Sequence, residues 1–244
     1  MPTWIPGLSG REGLRAFGYA AFAFGLAFAL GAATDEGGLS LATRASRVLP
    51  LAPVAALVGT LWAATRARGR GEMRAALALG ATPLDFVVPW TAGASLVVAF
   101  AAAALGGGAA MDGFFPVPPA APHFAWTGSA FEGPDLGIRI LGDGQLEAMA
   151  KAATAARSLH HGRLAAVLVT ALSGVAMALL GATWTSAHTR RYLGSLGAAV
   201  ALTVVALQAA AAERITPLLA TLPGLALALY AGYECSRTRL ARTP

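Results

Sequence analysis

Residues 65–89 read TRARGRGEMRAALALGATPLDFVVP, and the fold turns on where this stretch lies. Arg66, Arg68, Arg70 and Arg74 crowd between two apolar runs, each long enough to cross a bilayer. Short loops rich in arginine stay on the cytoplasmic side, so a cytoplasmic loop is expected here. Within it, Gly71 to Leu79 are good helix formers and Gly80 closes the run. Glu72 falls in the first turn, where a carboxylate meets the positive end of the helix dipole. Helical spacing puts Met73, Ala76, Leu77 and Gly80 on one face, which defines a short amphipathic helix at about 70–80 with an acidic start. Its apolar stripe needs cover, either from a partner or from the spans it joins.

Composition sets the class. The 244-residue chain is 56% hydrophobic and 12% charged, with a mean hydropathy of +0.61, whereas soluble domains carry about 25% charged residues. An integral membrane protein is expected. The net charge of +6 does not point to nucleic acid: every basic residue but Lys151 is arginine, spread over short loops without an aromatic-rich basic patch. A single cysteine, Cys235, excludes an intramolecular disulfide and any cysteine-based metal cluster.

Outward from the loop, Val48 to Thr65 reads as span two and Leu84 to Leu105 as span three. Span one is Ala16 to Ala33, longer than a signal-peptide core and expected to be uncleaved. Thr34 to Arg47 is a brief outer loop, and Pro50 and Pro53 sit near a helix start, where proline is tolerated. Gly106 to Gly162 is the one long polar segment. Its Gly/Pro-rich first half carries Phe114, Phe115, Phe124, Trp126 and Phe131, and two or three short strands are expected, one at Gly137 to Leu141. Asp143 reads as the N-cap of a helix over Gly144 to His161. Spans four to six follow at Arg163–Thr183, Tyr192–Ala211 and Ile215–Tyr233.

The expected fold is therefore an all-α integral membrane protein with six transmembrane helices, three plus three, and a small periplasmic segment between spans three and four. It divides into an N-terminal three-span half (1–105), the periplasmic segment (106–162) and a C-terminal three-span half (163–244). Cytoplasmic termini put Arg11, Arg15, the loop arginines, Arg190, Arg191, Arg237, Arg239 and Arg242 on one side, as the positive-inside rule asks. Small-xxx-small pairs at Gly25/Ala29, Gly174/Ala178 and Gly194/Ala198 would allow close helix approach.

Catalytic chemistry is sparse. A P-loop needs a lysine after a glycine-rich turn, and Lys151 lies in AMAKAATA. Ala171-Leu172-Ser173-Gly174 lacks the first glycine of a nucleophile turn, and spans five and six hold no histidine. His160 and His161 diverge by about 100° on a helix and cannot share a metal. Neither a catalytic residue, a metal site nor a cofactor is expected, and the midplane lacks ionisable groups that would mark an ion pathway. Asp85, near a span start, is the weak exception.

With these residues in place, the chain resembles the permease subunits of the lipopolysaccharide export system, the LptF/LptG family, over all six spans. The family's loop-helix pattern is matched by Glu72, Met73, Arg74, the apolar run Ala75 to Leu79, then Gly80, Ala81 and Thr82, with Pro89 beyond. The pattern at the start of span four is matched by Leu159, His160, His161, Gly162, Arg163, Leu164 and Ala165. The resemblance implies a subunit of an ABC-type lipid or lipopolysaccharide exporter in the bacterial inner membrane. Its partners would be a second permease subunit and a separate cytoplasmic ATPase, docked through Glu72, Met73, Arg74, Leu77 and Gly80. The loop-helix pattern is shared with cell-division and macrolide-exporter permeases, but those place the large outer domain between spans one and two of four.

The departure lies in the outer segment, where the family carries a β-jellyroll of eight strands. About 55 residues rich in Gly and Pro cannot supply it at five or six residues per strand plus turns. The expectation instead is an apolar cap of Phe114, Phe115, Trp126 and Phe131 on the outer span ends or on a neighbouring subunit. The competing class is a non-transporting membrane scaffold or assembly subunit.

Overall fold

The computed structural model of the chain describes residues 6–34, 40–111, 114–115, 125–133, 138–148, 153–184, 189–211 and 214–240. Eight α-helices and four short strands occur there: α1 (Pro6–Ala33), α2 (Leu41–Val48), α3 (Ala52–Gly69), α4 (Glu72–Ala78), α5 (Leu84–Gly106), β1 (Ala125–Trp126), β2 (Ala130–Gly133), β3 (Ile138–Leu141), β4 (Leu146–Ala148), α6 (Ala153–Thr183), α7 (Thr189–Ala211) and α8 (Leu222–Leu240). Six stretches are long and apolar enough to cross a membrane: Ser9–Ala33, Leu41–Gly69, Leu84–Gly106, His161–Thr183, Thr189–Ala211 and Pro217–Arg237. The protein is a multi-pass membrane protein, predominantly helical.

Two expectations need correction. The second span begins at Leu41 rather than Val48, because the Ser40 hydroxyl accepts from the Thr43 N–H at 3.2 Å and starts α2 inside the expected outer loop. A 3₁₀ turn at Leu49–Leu51 then carries the chain past Pro50 into α3. The helix expected over Gly144 to His161 is a strand at its start. Asp143 Oδ1 accepts from the Gln145 N–H at 3.0 Å and Gly144 adopts φ 85°, which closes a tight turn from β3 into β4 instead of capping a helix. Helix α6 spans Ala153–Thr183. The four strands form an antiparallel meander in chain order, with Glu132 opposite Arg139 and the two side chains ion-paired.

The bundle packs through small residues. A methyl added at Gly93 of α5 would lie 2.0 Å from the Gly13 carbonyl oxygen of α1, and one at Gly181 of α6 would lie 2.2 Å from the Thr60 hydroxyl of α3. In lipid, where apolar tails compete for every apolar face, such close backbone approach is what holds helices together. Of the three small-residue pairs read from the sequence, Gly174/Ala178 is used: Val98 fills the space over Gly174, and Ala178 is buried. Gly25 and Gly194 meet nothing within 4 Å. Three sets of polar contacts gather one end of the bundle. Arg15 of α1 pairs with Glu72 of α4, Arg68 of α3 donates to the Ala182 and Trp184 carbonyls at the end of α6, and Arg191 of α7 lies beside Glu234 of α8. This is the arginine-rich end; the sheet belongs to the connection at the other.

Candidate functional site

The helix α4 spans Glu72–Ala78 and hangs between two glycines with left-handed backbone, Gly71 at φ 72° and Gly80 at φ 91°. No atom crowds either position, so what glycine supplies is the conformation and not space. At the far end, the Ala81 N–H reaches the Ala76 carbonyl at 3.0 Å and the Gly80 N–H reaches Leu77 at 3.1 Å, which terminates the helix in a Schellman-type turn. Helix α5 then starts with a cap of its own. Asp85 Oδ2 accepts from the Thr82 N–H at 2.7 Å and from its hydroxyl at 3.0 Å, so the carboxylate singled out in the sequence serves a helix start.

The acidic residue of α4 is engaged within the chain. Arg15 Nη1 donates to Glu72 Oε2 at 2.9 Å and also to Glu12 Oε1. Glu12 is 1% exposed, and its second oxygen accepts from Trp90 Nε1 of α5 at 2.8 Å. A carboxylate buried at this depth persists only if its lone pairs are taken and a positive charge stands by; both conditions are met. The backbone crossing of Gly13 and Gly93 lies one residue beyond Glu12 on α1 and three beyond Trp90 on α5. Arg15 thus joins α4 to the most closely packed contact between α1 and α5.

The faces of α4 are set by this attachment. Met73 and Ala76 are partly buried against the core, and Leu77 is half-buried. Arg74, Ala75, Ala78, Leu79 and Gly80 are exposed, Leu79 at 83%. Of the two covers that sequence periodicity left open for the stripe, the chain itself therefore supplies part. The surface left open is Arg74, Ala75, Ala78 and Leu79, with Glu72 half-covered beneath Arg15.

The four aromatics expected to cap the spans fall into two groups. Phe114 is buried in the helical core and Phe115 packs beside it, whereas Trp126 and Phe131 face each other across β1 and β2 with ring centroids 4.7 Å apart and largely exposed rims.

Sequence reading missed Glu12 and Trp90, and Arg15 entered it only as a topological charge. It also passed over Glu234, buried near the end of α8 with Arg191 at 3.7 Å. The available signal was a carboxylate and an arginine three residues apart at the start of a span, which share a helix face. No catalytic constellation assembles around these groups. Ser173 donates its hydroxyl to the Val169 carbonyl of its own helix, and among the described residues no three His, Cys, Asp or Glu side chains gather as metal ligands. Compared with family models, with curated proteins and with solved structures, the chain matches none.

Proposed function

We propose that the chain is the permease subunit of an ABC-type exporter of lipids or lipoconjugates, of the lipopolysaccharide-export kind, driven by a separate cytoplasmic ATPase that docks on α4. The observation that carries the reading is α4 itself: a short helix between two membrane-spanning segments, hinged on two left-handed glycines, with an open face of Arg74, Ala75, Ala78 and Leu79. Leu79, Ala75 and Ala78 give that face an apolar edge beside Arg74, which a partner's groove would cover. In this reading the arginine-rich end and both termini are cytoplasmic, residues 106–162 are periplasmic, and the membrane is the bacterial inner membrane. A second permease copy or paralogue completes the translocation path, and the chain itself catalyses no reaction.

Purification of the tagged chain from its native membrane tests the reading. The expected result is a co-purifying subunit with vanadate-sensitive ATP hydrolysis, whose recovery falls at least tenfold in Leu79→Asp while the spans remain inserted. Recovery of the chain without any ATPase would leave the scaffold class standing. Cysteine labelling at Gly71 and Gly108 checks the sidedness: an impermeant reagent applied to spheroplasts should reach Gly108→Cys and not Gly71→Cys.

A further inference from the structure

We infer that Arg15 is the positioning residue of α4, a joint with one fixed and one detachable carboxylate through which movement of the loop helix reaches spans one and three together. The functional consequence rests on the transporter reading above; the joint itself rests on the geometry. Helix α4 is only seven residues long and joins α3 and α5 through hydrogen-bonded turns at left-handed glycines, so its attachment to α1 is left to side chains. Its apolar hold is Met73 and Ala76, partly buried at the edge of the core. The directional contact is the 2.9 Å ion pair from Arg15 to Glu72.

The two carboxylates on Arg15 differ in kind. Glu12 is enclosed, with both oxygens occupied, one by Arg15 and the other by Trp90 Nε1. It cannot leave without stranding a buried charge and an indole N–H. Glu72 is about a third exposed, so water replaces its half of the pair readily. Arg70 stands 3.9 Å from its other oxygen, ready to receive it. When Glu72 departs, Arg15 keeps Glu12 and no buried charge is orphaned. The arrangement therefore has two satisfied states, α4 held or α4 released, which a joint requires and a permanent buttress does not. Because Glu12 is bonded to Trp90, and Gly13 touches Gly93 backbone to backbone, a pull on Arg15 acts on α1 and α5 as one body.

The test uses the full chain in lipid nanodiscs, with Cys235→Ala and spin labels at Ala78→Cys on α4 and Phe22→Cys on α1. Pulsed dipolar spectroscopy reads the distance distribution between them. The expected result is a single narrow distribution that broadens at least twofold in Arg15→Gln and in Glu72→Gln and is restored to parental width in Arg15→Lys. Glu72→Gln alters a half-exposed side chain outside the core and keeps the fold, so it remains readable even if Arg15→Gln does not insert. An unchanged width in Glu72→Gln, or equal broadening in Arg15→Lys and Arg15→Gln, would overturn the joint. The two readings fail separately. Broadening with no ATPase recovered keeps the joint and removes the transporter, while a recovered ATPase with unchanged width does the reverse.

Discussion

Helices α1 and α7 turn equal shares of their apolar windows away from the protein, each only 11% buried. Their attachments differ sharply. Helix α1 crosses α5 at Gly13 and Gly93 with no room for a methyl, stacks Tyr19 on Trp62 of α3 at 4.9 Å, and plants Glu12 between Arg15 and Trp90. Helix α7 leaves Gly194 and Gly197 uncontacted. It meets its neighbours through Tyr192, whose ring lies 5.4 Å from Trp184, through the looser pair of Arg191 with Glu234, and through Leu207 and Ala210, which are buried near its far end. Exposure of an apolar face to lipid carries no penalty, so the buried fraction says little about how firmly a span is held. Polar contacts at the helix ends and backbone crossings decide that.

The comparison can be broken or sharpened by substitution, each read as an unfolding free energy from denaturing-detergent titration in mixed micelles. Glu12→Ala should have the largest effect, a loss of about 3 kcal/mol, because it strands the Trp90 N–H and removes the buried partner of Arg15. Gly93→Ala should follow at about 2 kcal/mol, the cost of forcing two backbones apart. On α7, Arg191→Ala should cost about 1.5 kcal/mol, less than Glu12→Ala because Arg191 is half-exposed and the pair is long, but more than a surface pair because Glu234 is buried and loses the cation beside it. Gly194→Ala should stay within about 0.5 kcal/mol of the parent, as a surface change touching nothing. If Arg191→Ala proved as damaging as Glu12→Ala, the contrast between the two spans would be lost.

These sites also show where the sequence is legible. The arginine-flanked run at 65–89 gives the loop helix to within about two residues at each end, because Gly71, Glu72 and Gly80 are local signals read without tertiary context. The six spans follow from apolar length alone. Glu12 was not legible, since its meaning depends on an indole 78 positions away. Asp143 was misread for a related reason. An Asp-Gly pair serves equally as a helix start or as a tight turn, and the pairing of β3 with β4 decides between them. Glu72 stands in the first turn of α4, and its pairing with Arg15, 57 positions away, was not legible. A charge reversal there tests the Arg15 pair at least as much as any docking surface, so Leu79 is the cleaner probe of the latter.

The length of α6 has a consequence for the sheet. The helix has 31 residues, and Arg157, His160, His161 and Arg163 all fall in the third of it nearest Ala153. At ~1.5 Å per residue it is roughly 46 Å long against a hydrocarbon core of about 30 Å, so about 16 Å of it stands clear of the hydrocarbon at that end. The polar connection therefore returns to the bundle on a rigid post and not at the bilayer surface. Removing four residues from that post would shorten it by about 6 Å and turn what precedes it by roughly 40°.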